Sequence, residues 1–203
     1  MYATLHTIRR APVAERWAAD LAASLRDQDG CVGLCVLGEL AGSAGAVVAL
    51  WSDEERATAA AARPGQDRAA HLLTDAGALY RVLQADAGAA SDRRPVIAQV
   101  LRFDGPRSAE QAAADARSGE RVWPAIRVLD GVVGSYALSA DDRGLVVVLL
   151  TESVESLEAI RRVVMTTMLL PDEDPALLTG PDRIEIHRVH HADLPALSPT
   201  PGA

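Results

Sequence analysis

The sequence predicts an α+β protein: two tandem βαββαβ units whose four-stranded antiparallel sheets pack face to face inside one chain, an internal pseudo-dimer. Two observations carry this. The order Asp29-Gly30-x-Val32-Gly33, apolar strand, glycine turn, apolar strand, Ser52-Asp53-Glu54-Glu55 returns as Asp130-Gly131-x-Val133-Gly134, two apolar runs and Thr151-Glu152-Ser153. Strands such as Val146 to Leu150 are apolar on both sides, so a sheet with helices on one face needs cover on the other as well. The cheapest cover is the second sheet.

The elements follow in chain order. Tyr2 to Arg10 alternates as a strand. Pro12 suits a first helical turn, and Ala14, Trp17, Ala18, Leu21, Ala22 and Leu25 form one stripe. Asp29-Gly30 stops that helix. Gly33 to Leu40 and Ala46 to Trp51 read as a strand pair across the Ala41 to Gly45 turn. Ser52 with Glu55 forms a capping box for an alanine-rich helix that breaks at Arg63-Pro64-Gly65. A short helix over Asp67 to Asp75 and a strand over Ala78 to Ala85 complete the first unit, residues 1–88.

Ala87 to Arg94 reads as a linker closed by Pro95. The second unit, residues 95–193, restarts with a strand over Val96 to Phe103 and a helix capped by Ser108 and Gln111. Ser118-Gly119 is expected to interrupt that helix before Val122, Trp123, Ile126 and Leu129 resume its stripe. Gly134 to Ser139 and Leu145 to Leu150 pair across Asp141 to Gly144. Val154, Leu157, Ile160, Val164 and Met168 form an amphipathic helix face. Arg183 to Val189 alternates as the last strand, and residues 194–203 read as a flexible tail.

Composition narrows the chemistry. The net charge of -8 disfavours nucleic acid and anionic membrane as partners. The chain contains no Lys and no Asn, a bias expected of a GC-rich, actinobacterial genome. Without Lys there is no Schiff base, no pyridoxal phosphate anchor and no phosphate-loop lysine. No apolar run of membrane-spanning length and no signal-peptide pattern are present, so the expected location is cytoplasmic. Cys31 and Cys35 fall on one face of a strand, about 13 Å apart, beyond disulfide reach.

The Asp-Gly-x-Val-Gly turn and the strand ending Leu50-Trp51-Ser52-Asp53-Glu54-Glu55, echoed by Val122-Trp123-Pro124 and Leu149-Leu150-Thr151-Glu152-Ser153, resemble the dimeric α/β-barrel superfamily with its ferredoxin-like units. The match is to its antibiotic-biosynthesis-monooxygenase-like branch, over about residues 2 to 191. The resemblance implies a small apolar or aromatic ligand and either cofactor-independent oxidation of an aromatic or polyketide-like molecule or a non-catalytic binding or scaffold role. Cofactor-free oxidation needs a base and positioning groups in a dry pocket. His6 and His71 are the candidate bases and Trp51 the candidate ligand wall, with Gln99, Trp123 and Tyr136 as loose counterparts in the second half. No cofactor is implied. Haem-degrading relatives rely on Asn, Trp and His together, and this chain has no Asn.

Each candidate also has a plainer reading. Trp17, Trp51 and Trp123 fit core packing, His6 a hydrogen-bonded sheet histidine, and His71 a cation at a helix end. Alternation sends His187 and His191 to one face and His190 to the other, so no metal site is expected. The expected assembly is a monomer containing the pseudo-dimer, with further pairing left open.

Overall fold

The computed structural model describes residues 1–8, 15–40, 44–62, 73 and 77–195. The expected helix over Asp67 to Asp75, apart from Leu73, and the tail beyond Pro195 lie outside them, as does His71. Among the described residues the chain is α+β, with eight strands and four helices. These are β1 (Tyr2–Ile8), α1 (Glu15–Arg26), β2 (Cys31–Glu39), β3 (Gly45–Trp51), α2 (Glu54–Ala62) and β4 (Ala78–Ala87). Then come β5 (Ile97–Phe103), α3 (Ala109–Ile126), β6 (Val132–Ser139), β7 (Leu145–Thr151), α4 (Val154–Thr166) and β8 (Arg183–Asp193). None of these helices is long and apolar enough to cross a membrane.

Among the described residues the chain divides into two compact units, one holding residues 1–82 and 186–195, the other residues 83–185. β4 and β8 therefore each run from one unit into the other. The hydrogen-bonded order is β4-β1-β3-β2-β8 in the first unit and β8-β5-β7-β6-β4 in the second. Both contain the ferredoxin-like arrangement, in which the fourth strand of a βαββαβ unit lies beside the first and the third separates the first from the second.

In the first unit the α1 stripe buries Ala18, Leu21, Ala22 and Leu25. They pack with Leu34, Val36, Val47, Ala49 and Trp51 of the sheet and Ala57 of α2. Each such Leu or Val contributes roughly 1.5–3 kcal/mol by leaving water. The opposite face of the same sheet, with Ala3, Leu5, Leu37, Ala46, Val48 and Leu50, is also buried, as expected of strands apolar on both sides.

The same local geometry recurs at the start of β2 and β6. Gly30 and Gly131 have φ of +81° and +77°, which only glycine adopts without strain. Gly30 accepts a hydrogen bond from the Ser52 N–H and Gly131 from the Glu152 N–H, both at 2.9 Å. A β-bulge follows in each strand, between Cys31 and Gly33 and between Val132 and Gly134. The bulge corrects the cysteine reading: Cys31 pairs with Trp51 on the helix-facing side, whereas Cys35 pairs with Val48 on the other. Both thiols are free.

Three local expectations also change. α2 begins one residue later than the Ser52 box implies, because Asp53 Oδ1 accepts the Arg56 N–H at 3.0 Å and acts as the cap, while the Ser52 hydroxyl donates to Asp53 at 2.8 Å. That backbone donor, then the hydroxyl and Arg56, hold the Asp53 carboxyl down at about 2. α3 runs unbroken through Ser118-Gly119. A side chain added at Gly119 would meet nothing, so this glycine sits where only propensity opposes the helix, about 1 kcal/mol. Packing of Ala114, Trp123 and Ile126 on either side outweighs that cost. Residues 88 to 90 are held by backbone hydrogen bonds from Gly88 to Val133, Ala89 to Arg127 and Ala90 to Val132, at 2.7–3.0 Å, and are not a loose tether.

Candidate functional site

The helix-facing side of the first sheet is set by register. Thr4 lies opposite Ala49, His6 opposite Val47 and Tyr2 opposite Trp51, with Leu34 and Val36 on the far side of β3. Every one of these except Tyr2 is buried; His6 is 3% and Trp51 1% exposed. The Trp51 indole N–H donates to Thr4 Oγ1 at 3.1 Å, which satisfies the polar edge of a ring otherwise buried among apolar side chains. Thr4 and His6 share one face of β1 at about 7 Å spacing. The His6 imidazole lies against the backbone of Gly77, where an added Cβ would stand 2.3 Å from its Cε1. The Gly77 N–H in turn donates to Ala61 at the end of α2, at 3.1 Å.

The second sheet has the same framework and a different surface. Its helix-facing side carries three cross-strand rows: Gln99–Leu149–Ser135, Leu101–Val147–Ala137 and Phe103–Leu145–Ser139. Of these nine residues only Leu149 is buried, and the other eight are partly exposed. The packed cluster gathers instead at the far end of the strands, where Ile97, Val132 and Leu149 meet Trp123 and Ile126 of α3 and Leu157 and Ile160 of α4. The cause is legible in α3. Before Trp123 its one buried side chain is Ala114, while Ala109, Ala113 and Ala116 are exposed, so this part of α3 lowers no large apolar side chain onto the sheet, whereas α1 buries Leu21 and Leu25. The result is an apolar, water-accessible surface with Gln99, Ser135 and Ser139 as its polar points.

Register separates the second-half candidates. Gln99 is on the helix-facing side, at the position that Thr4 holds in the first sheet, while His6 corresponds to Leu101. Trp123 belongs to the packed end, and its buried indole N–H has no hydrogen-bond partner among the described residues. Tyr136 lies opposite Val148 on the other face of the sheet and is buried there. Alternation along β6 parts it from Gln99.

Sequence reading missed Arg107. Its guanidinium donates from Nη1 to the Asp115 carboxylate at 2.9 Å, lies 3.7 Å from Asp182, and stacks over the Phe103 ring at 5.1 Å. The Arg107 and Asp115 side chains are only 6% and 7% exposed. Arg107 Nε is buried with no hydrogen-bond partner among the described residues. Burial pushes the Asp115 carboxyl up, against the pull of Arg107. The available signal was an acidic residue within an alanine-rich helix, eight positions after an arginine.

The histidines of β8 do not alternate as expected. A bulge places His191 opposite Val36 but Val189 and His187 opposite Leu37 and Glu39, so His187 and His191 fall on different faces. Among the described residues no three His, Cys, Asp or Glu side chains are placed to hold a metal ion. His190 is pushed down, by burial first and Arg188 second.

No protein-family model and no curated protein matches the chain. Solved structures do. A candidate monooxygenase from Fusobacterium nucleatum matches over 100% of this chain and 98% of its own, with a TM-score of 0.67 and 8% identity. An anthrone oxidase-like protein matches over 95% and 92%, with a TM-score of 0.61 and 11% identity. A ferredoxin-fold protein from Listeria monocytogenes, related to antibiotic biosynthesis monooxygenases, matches over 92% and 94%, with a TM-score of 0.53 and 10% identity. The chain thus shares the fold of these structures, which is ferredoxin-like.

Proposed function

We propose that this protein binds an apolar, aromatic small molecule on the helix-facing side of the second unit's sheet. The single observation behind this reading is the contrast between equivalent rows. His6, Val47 and Val36 are buried in the first unit, whereas Leu101, Val147 and Ala137 meet water in the second. Leaving those side chains wet forfeits burial energy that the first unit gains, and a flat ring would recover it. Structural likeness to an anthrone oxidase-like protein supports the choice of a polycyclic aromatic as first probe.

The test is a fluorescence titration with 2-naphthol and anthrone on wild type and on Ala137→Leu/Val147→Phe, which fills the middle row. Loss of binding by about tenfold or more is expected, since one or two ring contacts of about 1.4 kcal/mol suffice. Unchanged affinity in the double variant would remove the site from the second unit.

A second reading adds chemistry. The buried His6, beside a Thr4 hydroxyl held by Trp51, favours a role as general base: it would take a proton from an acidic C–H or O–H, and the substrate anion would then supply electrons to oxygen without a cofactor. His71 is the alternative base. Oxygen uptake with anthrone is expected to fall in His6→Ala or His71→Ala, and a rate untouched by both substitutions discards the assignment.

A further inference from the structure

We propose that Arg107 recognises an anionic oxygen on the ligand, so that the preferred class is an aryl carboxylate or phenolate and not a neutral aromatic. The inference rests on the binding reading above and narrows it. Phe103 belongs to the outermost of the three helix-facing rows and is partly exposed. Because the guanidinium stacks on that ring at 5.1 Å, it stands at the edge of the wet apolar surface. Its plane is fixed from two sides, by the ring on β5 and by Asp115 on α3. Arg107 Nη1 is spent on Asp115, and Nη2 faces Asp182 at a distance too long for a hydrogen bond. Nε remains, inside a side chain that is 6% exposed, with its donor unmet among the described residues.

A charged donor left without an acceptor away from water carries a standing cost, and an anionic oxygen relieves it most strongly. Arginine offers Nε beside an Nη in one rigid plane, which suits the two oxygens of a carboxylate. An aromatic acid would lay its ring over Leu101, Ala137 and Val147 and bring its charge to the Phe103 end. Lysine at this position keeps the positive charge but lacks the planar Nε donor, so it separates recognition from simple charge.

The test uses calorimetric titration at neutral pH with 2-naphthoate and 2-naphthamide, matched in shape and different in charge. Wild type is expected to prefer the naphthoate by about tenfold or more, as a charge-assisted hydrogen bond implies. In Arg107→Lys the preference should shrink below about threefold while naphthamide affinity stays put. Equal affinity of wild type for the two probes overturns the inference without needing any variant, and leaves the binding reading standing. A naphthoate preference that survives Arg107→Lys overturns it too and leaves Arg107 as a clamp between its loop and α3. Binding of neither probe overturns this inference together with the binding reading.

Discussion

Valine 47 and valine 147 occupy equivalent positions on the central strands of their sheets, and removing two methyl groups from each should give different losses. Val47 is 0% exposed, between His6 and Val36. Val147 is partly exposed, between Leu101 and Ala137. Val47→Ala forfeits about 1.6 kcal/mol of transfer energy, at about 0.8 per methyl-sized group, and leaves a dry cavity. With the cavity cost the loss is about 2–3 kcal/mol. At Val147 the side chain is already partly exposed and the space left opens to solvent, so the loss is about 1 kcal/mol. The lower strand propensity of alanine enters both figures and cancels in the comparison. Urea unfolding should therefore put the Val47→Ala midpoint lower than that of Val147→Ala by about half a molar, with unchanged slopes. Losses equal to within about 0.3 kcal/mol would mean that the second unit's face is as well covered as the first, and the binding reading would lose its foundation.

Other perturbations follow from geometry already described. Gly131→Ala should lose about 2–3 kcal/mol: about 1–2 for a side chain at φ +77°, the rest from a Cβ placed 2.2 Å from Ser156 Oγ. Combining it with Ser156→Ala should restore about 1 kcal/mol, and no restoration in urea midpoints would refute the contact. Arg107→Met should destabilise by about 2–4 kcal/mol at mildly alkaline pH, because it strands the Asp115 carboxylate. The sign with pH follows from the raised Asp115 carboxyl. An acid raised above its unfolded value opposes folding increasingly as pH climbs from that value through the folded one, and the penalty vanishes below it. The loss in Arg107→Met should accordingly shrink on acidification, and a loss that grows instead would contradict the burial of Asp115. Burial pushes the Cys35 thiol up to about 12, so a thiol-exchange reagent should modify at most Cys31 in the native protein. Prompt reaction of two thiols would refute that placement.

Strand and helix identity was legible because periodicity records which side of an element meets the core. Leu21 and Leu25, or Leu157 and Ile160, announce their helices in any context, and both are buried as their spacing implies. What periodicity cannot carry is a residue inserted out of phase. The bulges at Cys31–Gly33 and at His190 each shift the alternation by one, which moves Cys31 and His191 to faces that strict alternation denies them. Gly119 misled for a related reason: a glycine's helix penalty is local, while the packing that overrides it comes from Trp123 and Ile126 on the same helix. The candidate residues were legible as residue types but not as a constellation. Gln99 and Tyr136 are separated by a sheet, and Arg107 and Asp115 signify nothing until helix α3 brings them within 2.9 Å.

The passage of β4 and β8 from one unit into the other means that cutting the polypeptide between its halves, at Gly88 for instance, produces no self-sufficient piece. A fragment ending there retains β2 but loses the segment of β8 that pairs with it through Leu34 to Glu39. An edge so stripped of its neighbour templates aggregation. Each fragment would carry a strand that belongs to the other's ladder, so the two should recover solubility when expressed together and lose it when expressed apart.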